Sequence, residues 1–209
     1  MAQGFFITFE GIDSSGKSTQ LRQLAGYLES KGVPYLVTRE PGGTALGQRI
    51  RELVLAKDDQ KMTWMTELLL MAADRAQHVE ELIKPALEDG LIVLCDRYID
   101  SSAAYQGYGL GGDLALIEEI NQLVTGGLVP HLTILLDVDP SVCLARAQDD
   151  DRIGGRGLAF QTRVREGYQQ IAAKHGERFL IIDGQGTAEG IHRQILHVLR
   201  TRWPQRFGG

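Results

Sequence analysis

Phe5-Phe-Ile-Thr-Phe-Glu-Gly11-Ile-Asp-Ser-Ser-Gly-Lys17-Ser18-Thr19 joins an apolar run to a glycine-bounded loop and then to a helical pattern. Phe5 to Phe9 are aromatic and β-branched, the composition of a short buried strand. Leu21, Leu24 and Leu28 follow at spacings of three and four, so an apolar helix face begins where the loop ends. The loop fits the phosphate-cradling pattern G-x-x-x-x-G-K-[ST], and strand, loop and helix stand in the order that gives the pattern its mechanics. The helix N-terminus attracts anions. Gly11 and Gly16 free the backbone of Ile12, Asp13, Ser14 and Ser15 to wrap phosphates, Lys17 reaches the terminal ones, Ser18 presents its hydroxyl to Mg²⁺, and Thr19 extends the same stretch. The stretch predicts a grip on a nucleoside triphosphate.

Outward from this loop, strand-like runs recur at Phe5–Phe9, Tyr35–Thr38, Leu91–Cys95, Leu132–Val138 and Phe179–Ile182. Helical patterns fill most of the intervals: Lys17–Lys31, Ala45–Ala56, Thr63–Glu88, Leu114–Val124, Ser141–Gln148, Leu158–Lys174 and Thr187–Arg202. Such alternation predicts an α/β fold, a five-stranded parallel sheet covered by helices on both faces. The 209 residues, 43% of them hydrophobic, suit a single domain spanning 1–209. A formal net charge of -5 argues against a protein that coats a nucleic acid polymer. Cys95 and Cys143 lie in apolar stretches without CxxC spacing, which predicts buried free thiols rather than a disulfide or zinc site. No uninterrupted apolar run is long enough to span a membrane and the N-terminus has no basic leader, so the expectation is a cytoplasmic enzyme. Asp149-Asp-Asp-Arg152-Ile-Gly-Gly-Arg156-Gly157 breaks the alternation, being charged, glycine-rich and poor in apolar residues. It reads as a flap between two helices.

A phosphoryl-transfer enzyme needs an acidic residue on the metal side, and Leu91-Ile-Val-Leu-Cys-Asp96 offers one at the carboxyl end of a strand. Asp96 therefore faces the loop across a cleft as a metal-side ligand with Ser18, or else caps the next helix. Arg97 follows among Tyr98, Ala103, Ala104 and Tyr105, surroundings that suggest an enclosed phosphate or base clamp rather than a solvated charge. Asp13 is unusual, because a carboxylate beside bound phosphates is repelled unless it faces elsewhere. It accepts from an acceptor's sugar hydroxyl, orients an arginine, or stabilises the turn.

With the loop and the strand-end Asp96-Arg97 pair, four further blocks carry a resemblance. They are Thr38-Arg39-Glu-Pro-Gly-Gly-Thr44 with Arg49-Ile-Arg51, Glu67-Leu-Leu-Leu-Met71-Ala-Ala-Asp-Arg75-Ala-Gln-His78, Asp96-Arg97-Tyr-Ile-Asp-Ser-Ser102-Ala-Ala-Tyr105-Gln106, and Phe160-Gln-Thr-Arg-Val-Arg-Glu-Gly-Tyr168. In this order and over nearly the full length, the chain resembles the bacterial thymidylate kinases. The resemblance implies a three-layer P-loop NTPase fold with a LID flap at 149–157, Mg²⁺ as cofactor, a homodimer, and transfer of the γ-phosphoryl of ATP to dTMP. It implies that Asp13 holds the acceptor's 3′-hydroxyl, that Arg97 and Arg39 approach the acceptor phosphate, and that Arg75 pairs with the thymine edge. It also implies that Tyr105 lies under the deoxyribose, that Ser102 and Gln106 line the base pocket and that Arg146 packs near adenine. With no arginine in the P-loop, the resemblance implies a LID arginine that serves the transferring phosphoryl, with Arg152 the best candidate and Arg156 assisting or substituting for it.

Two positions depart from the family pattern. Met71 stands where relatives commonly place an aromatic against thymine, and a thioether covers a base face less rigidly. Gly154-Gly155 follows Ile153 where many relatives carry a glutamate, which makes the flap more flexible. The nearest alternative is a nucleoside-monophosphate kinase with a different acceptor. A GTP-binding switch is disfavoured, since the chain has no N-K-x-D motif and its strand-end motif is Asp96-Arg97 rather than D-x-x-G.

Overall fold

A computed structural model describes residues 4–56, 62–146 and 152–208. Five strands form one parallel sheet in the order β2-β3-β1-β4-β5: β1 Phe5–Glu10, β2 Tyr35–Arg39, β3 Ile92–Asp96, β4 Leu132–Asp137 and β5 Phe179–Asp183. Each expected strand is present to within about two residues, and the α/β class is borne out. The register aligns Arg39 with Asp96 and Asp96 with Phe9. Three strands thus end together, directly beneath the Gly11–Ser18 loop.

The helices are α1 Lys17–Ser30, α2 Ala45–Leu55, α3 Trp64–His78, α4 Lys84–Glu88, α5 Ile99–Ser102, α6 Leu114–Thr125, α7 Pro140–Arg146, α8 Leu158–Lys174, α9 Ala188–Arg202 and α10 Pro204–Phe207. The expected helix Thr63–Glu88 is a continuous helical path, but it widens into a π-helical turn at Val79–Ile83 before α4. Pro85 explains the change, because it lacks the N–H that a regular turn requires there. A second helical path, α5 with a π-helical turn at Ala103–Gly109, was not expected from the periodicity. Its Ser-Ser-Ala-Ala run and two glycines carry little apolar pattern, and burial of Ala104, Tyr105 and Gln106 against α8 and α3 stabilises it.

The pleat of β1 divides two chemistries. Phe5, Ile7 and Phe9 pack on Leu21, Leu24 and Leu28 of α1 and on Ile191, Ile195 and Leu199 of α9. Phe6 faces the other way, toward Val79, Ile83, Val93, Cys95 and Tyr98, yet Thr8 and Glu10 share its face. Thr8 is satisfied by Thr133 at 3.0 Å, and Thr133 in turn accepts from Arg178 at 2.8 Å. A buried polar seam therefore leads along β1 to Glu10, one residue before the loop. Cys95 and Cys143 are buried and free, as expected.

Helix caps distinguish support from function. The side chains of Thr44, Thr63 and Thr187 accept from backbone N–H groups at the starts of α2, α3 and α9. The start of α1 has no side-chain cap and follows Gly16 at φ 99°, which leaves its donors for an anion.

Between β2 and α2 the chain turns through the cis Glu40–Pro41 bond and packs on α3. There Thr38 Oγ1 and His78 Nε2 lie 2.6 Å apart, and a Cβ on Gly43 would sit 2.6 Å from His78 Nε2 and 2.8 Å from Thr38 Oγ1. Gly43→Ala is expected to split this pair and destabilise the protein by about 1–3 kcal/mol, measurable by chemical denaturation.

Candidate active site

A cavity of about 430 Å³ opens over the carboxyl ends of β1, β2 and β3. At the loop end its wall includes Asp13, Ser14, Gly16, Lys17, Ser18, Thr19 and Arg146. Lys17 is buried, and its ammonium donates to the carbonyls of Gly11 at 3.1 Å and Ile12 at 2.8 Å. Burial pulls its pKa down to about 8, helped by Arg97 and opposed by Asp96, Asp13 and Glu10. Ile12 buries its side chain in the core with Val138 and Cys143. Ser15 Oγ is buried without a hydrogen-bond partner among the described residues and lies 2.9 Å from where a Cβ on Gly11 would stand. With φ of 137° as well, position 11 admits only glycine.

Ser18 donates to Asp96 Oδ2 at 3.2 Å, while Asp96 Oδ1 is buried with no hydrogen-bond partner among the described residues. Asp96 does not cap α5, which begins after Tyr98 without a side-chain cap. A hydroxyl and a carboxylate with an unused lone pair, beside a lysine, make an oxygen donor set suited to a hard divalent cation.

The other end of the cavity centres on Arg97. Its backbone adopts φ of 73°, costly for a non-glycine residue, and this turns the side chain back over the loop. The guanidinium donates to Gly11 O at 3.0 Å, Ser101 Oγ at 3.3 Å, Tyr168 Oη at 3.2 Å and Asp13 Oδ1 at 2.6 Å. It also lies 4.9 Å over the Tyr105 ring, and Tyr105 donates to Asp13 Oδ2 at 3.1 Å. Burial opposes ionisation of Asp13, but Arg97 and Lys17 outweigh it and hold the carboxyl below its usual range. Of the three readings for Asp13, orientation of an arginine is the one realised among the described residues.

Arg75, fully buried on α3, donates to Glu40 at 2.7 Å, Ser102 at 2.9 Å, Asn121 at 2.6 Å and the Tyr98 carbonyl at 3.0 Å. It still reaches the cavity wall, along with Met71, Ser102, Tyr105 and Gln106. Arg39 is exposed at the end of β2 and lines the same wall. Asp149, Asp150 and Asp151 of the flap lie outside the described residues. Among the described residues, Ile153 lines the cavity, whereas Arg152 and Arg156 instead donate to Glu67 at 2.7 Å and 2.6 Å.

The thymidylate kinase family model matches residues 9–195. A thymidylate kinase of Exiguobacterium sp. is 50% identical over 196 residues, covering 92% of this chain and 92% of that protein. One of Nostoc sp. is 46% identical over 207 residues, covering 97% and 98%. The crystal structure of the Ehrlichia chaffeensis thymidylate kinase is similar with a TM-score of 0.79 and 40% identity, covering 95% of this chain and 99% of that one. The chain belongs to the thymidylate kinase family. Membership accords with the cavity's two ends, an anion grip on the loop and an arginine clamp facing it.

Several residues that build this family site carried no role in the sequence reading. Glu10, fully buried, accepts from Tyr98 N at 2.7 Å, Ser101 Oγ at 2.6 Å and Tyr168 Oη at 2.7 Å. Burial, with Asp100 nearby, pushes its pKa up to about 7 against Arg97, Ser101 and Tyr168. Glu40 accepts from Arg75 and also from His78 Nδ1 at 2.8 Å. The available signal was a carboxylate at the end of each of two predicted strands, where burial demands a partner.

Proposed function

We propose that this chain transfers the γ-phosphoryl of ATP to the 5′-phosphate of thymidine monophosphate, giving dTDP and ADP. The supporting observation is that one cavity joins the loop residues Lys17 and Ser18 to the Arg97–Asp13–Tyr105 cluster. ATP lies with its phosphates on the uncapped start of α1, along Ile12, Asp13, Ser14, Ser15, Gly16 and Thr19, and its adenine toward Arg146. Lys17 leaves the Gly11 and Ile12 carbonyls to neutralise charge on the terminal phosphates. Arg97 and Arg39 bind the acceptor phosphate, whose oxygen attacks the γ-phosphorus as the bond to the ADP oxygen breaks. Arg97 lowers repulsion between two anions and sets the attack geometry. Asp13, already fixed by Arg97 and Tyr105, takes the sugar 3′-hydroxyl, and the Tyr105 ring covers the deoxyribose. Arg75, Ser102, Gln106 and Met71 surround the base, with Arg75 directed by Glu40 and Asn121.

Ser18 Oγ and Asp96 would hold Mg²⁺, which would supply charge neutralisation of the triphosphate. Among the described residues no cluster of three or more His, Cys, Asp or Glu side chains is arranged to hold a metal. Arg152 serves the transferring phosphoryl from the flap, and the 209 residues act as one catalytic domain.

The test is steady-state phosphorylation of dTMP, dUMP, dCMP, dGMP and AMP with ATP and Mg²⁺. The expected result is a kcat/KM for dTMP about 100-fold above any purine acceptor. Comparable efficiency with a purine would remove the thymidylate assignment.

Lys17 gives the reaction a pH signature. The free enzyme needs the ammonium to receive ATP, and it loses that proton as pH rises through about 8. Therefore kcat/KM for ATP is expected to fall above about pH 8, while kcat, reporting the lysine already bound to phosphate, holds to higher pH. Coincident alkaline limbs would contradict this placement of Lys17.

The chain acts as a homodimer in the cytoplasm. Leu53 on α2 and Leu69 on α3, each 52% exposed on adjacent packed helices, support a subunit interface there. Light scattering should give twice the chain mass of 23.0 kDa. Among the described residues no helix is long and apolar enough to cross a membrane.

A further inference from the structure

Glu67 lies in the first turn of α3 and is fully buried. The start of this helix is capped by Thr63, so the carboxylate is not needed there as a cap. Its two oxygens instead accept four hydrogen bonds. Gln106 Nε2 reaches Oε1 at 2.8 Å, and Arg156 spans both oxygens at 3.2 Å and 2.6 Å. Arg152 Nη2 reaches Oε2 at 2.7 Å. Burial disfavours the anion, but Arg156, Gln106 and Arg152 outweigh it and keep Glu67 ionised.

Geometry makes this carboxylate a junction. Gln106 stands on the cavity wall, whereas Arg152 and Arg156 approach from the flap side. Arg152 is held a second time, through Nε to the Val54 carbonyl at 2.7 Å at the end of α2. These bonds use Nε and Nη2, one edge of the guanidinium. Arg156 is backed by the Phe160 ring, its guanidinium carbon 4.9 Å from the ring centre. An arginine is effective on a transferring phosphoryl only when its position is set before the reaction, since reorganisation during transfer costs part of the gain.

We propose that Glu67 is a positioning residue for phosphoryl transfer, holding Arg152 and Arg156 on either side of the cavity-lining Ile153 and acting on turnover through Arg152. The proposal rests on the kinase reading above. A purely structural Glu67 would matter through Gln106 and the base pocket, which predicts a different kinetic pattern.

The experiment is a double-mutant cycle of Glu67→Gln and Arg152→Met, read with ATP and dTMP. Glu67→Gln is expected to lower kcat by about 30-fold with the dTMP KM within about threefold of wild type. In the Arg152→Met background it should add less than about twofold, because the residue it acts through is gone. Independent, multiplying losses would overturn the proposal, as would a raised dTMP KM at unchanged kcat. If circular dichroism shows that Glu67→Gln does not fold, Glu67→Asp enters the same cycle. A loss coupled to Arg152 then supports the proposal, and an additive loss or none overturns it. Failure of the wild-type protein to use dTMP would instead overturn the acceptor assignment, and the cycle would be run with the monophosphate it does accept.

Discussion

Arg97→Met should lower kcat/KM for dTMP by about 1000-fold, the scale of a lost arginine contact to a transferring phosphoryl system. The side chain joins four elements of the site: the loop carbonyl of Gly11, Asp13, Ser101 and Tyr168. On the proposed function its removal takes away the cation that meets the acceptor phosphate, so two anions would approach with their repulsion unscreened. It also frees Asp13, whose carboxylate keeps only Tyr105 among its present donors. Freed from Arg97, Asp13 loses the largest influence that holds its carboxyl below the usual range, and with it the orientation that the proposed contact to the sugar needs. The loss should therefore appear in kcat as well as in KM, and Arg97→Lys should recover little, because one ammonium cannot span Gly11 and Asp13 together. Ground-state binding of dTMP by calorimetry separates the contributions. Activity of Arg97→Met within tenfold of wild type would remove this residue from the acceptor phosphate.

For Lys17→Ala the expected fall in kcat is again about 1000-fold, but stability should move the other way. Among the described residues the buried ammonium donates only to two carbonyls of its own loop, and burial already draws its pKa down to about 8. The sign follows from linkage. Between pH 8 and 10.5 the unfolded chain binds this proton more tightly than the folded one, so folding becomes more favourable as pH rises through that window. At pH 7 the charged lysine is a cost to the ligand-free protein, offset when ATP arrives. The ligand-free Lys17→Ala protein should thus melt no lower than wild type at pH 7, whereas the stabilisation of wild type by ATP should be lost. Thermal melts with and without ATP check both halves. A marked drop in the ligand-free melting temperature would mean that Lys17 is structural first.

The contrast between these residues shows where a sequence speaks. Lys17 was legible because its whole context is local: strand, loop and helix occupy consecutive residues, and period 2 gives way to period 3.6 within the motif. Asp96 was legible for the same reason, at the end of an apolar run. Arg97 was recognisable as enclosed, but its left-handed backbone and its grip on Asp13 arise from contact across 84 positions of the chain. The helical path through Ala103–Gly109 was missed because its stability comes from packing rather than pattern. Glu10, Glu40 and Glu67 were visible as letters, and each lay inside a quoted motif block. Their partners lie far away in sequence, and a buried carboxylate has a function only once its donors are known.

By itself, then, the sequence determined the order of strands and helices, the phosphate-binding loop and the family, since each depends on periodicity or on residues next to one another. Tertiary structure alone decided which charges face which. It brought Arg97 onto Asp13, Arg75 onto Glu40, and Arg152 with Arg156 onto Glu67. The physical reason is that backbone preference is set within a few residues, whereas the cost of burying a charge is relieved only by a partner that the completed fold delivers.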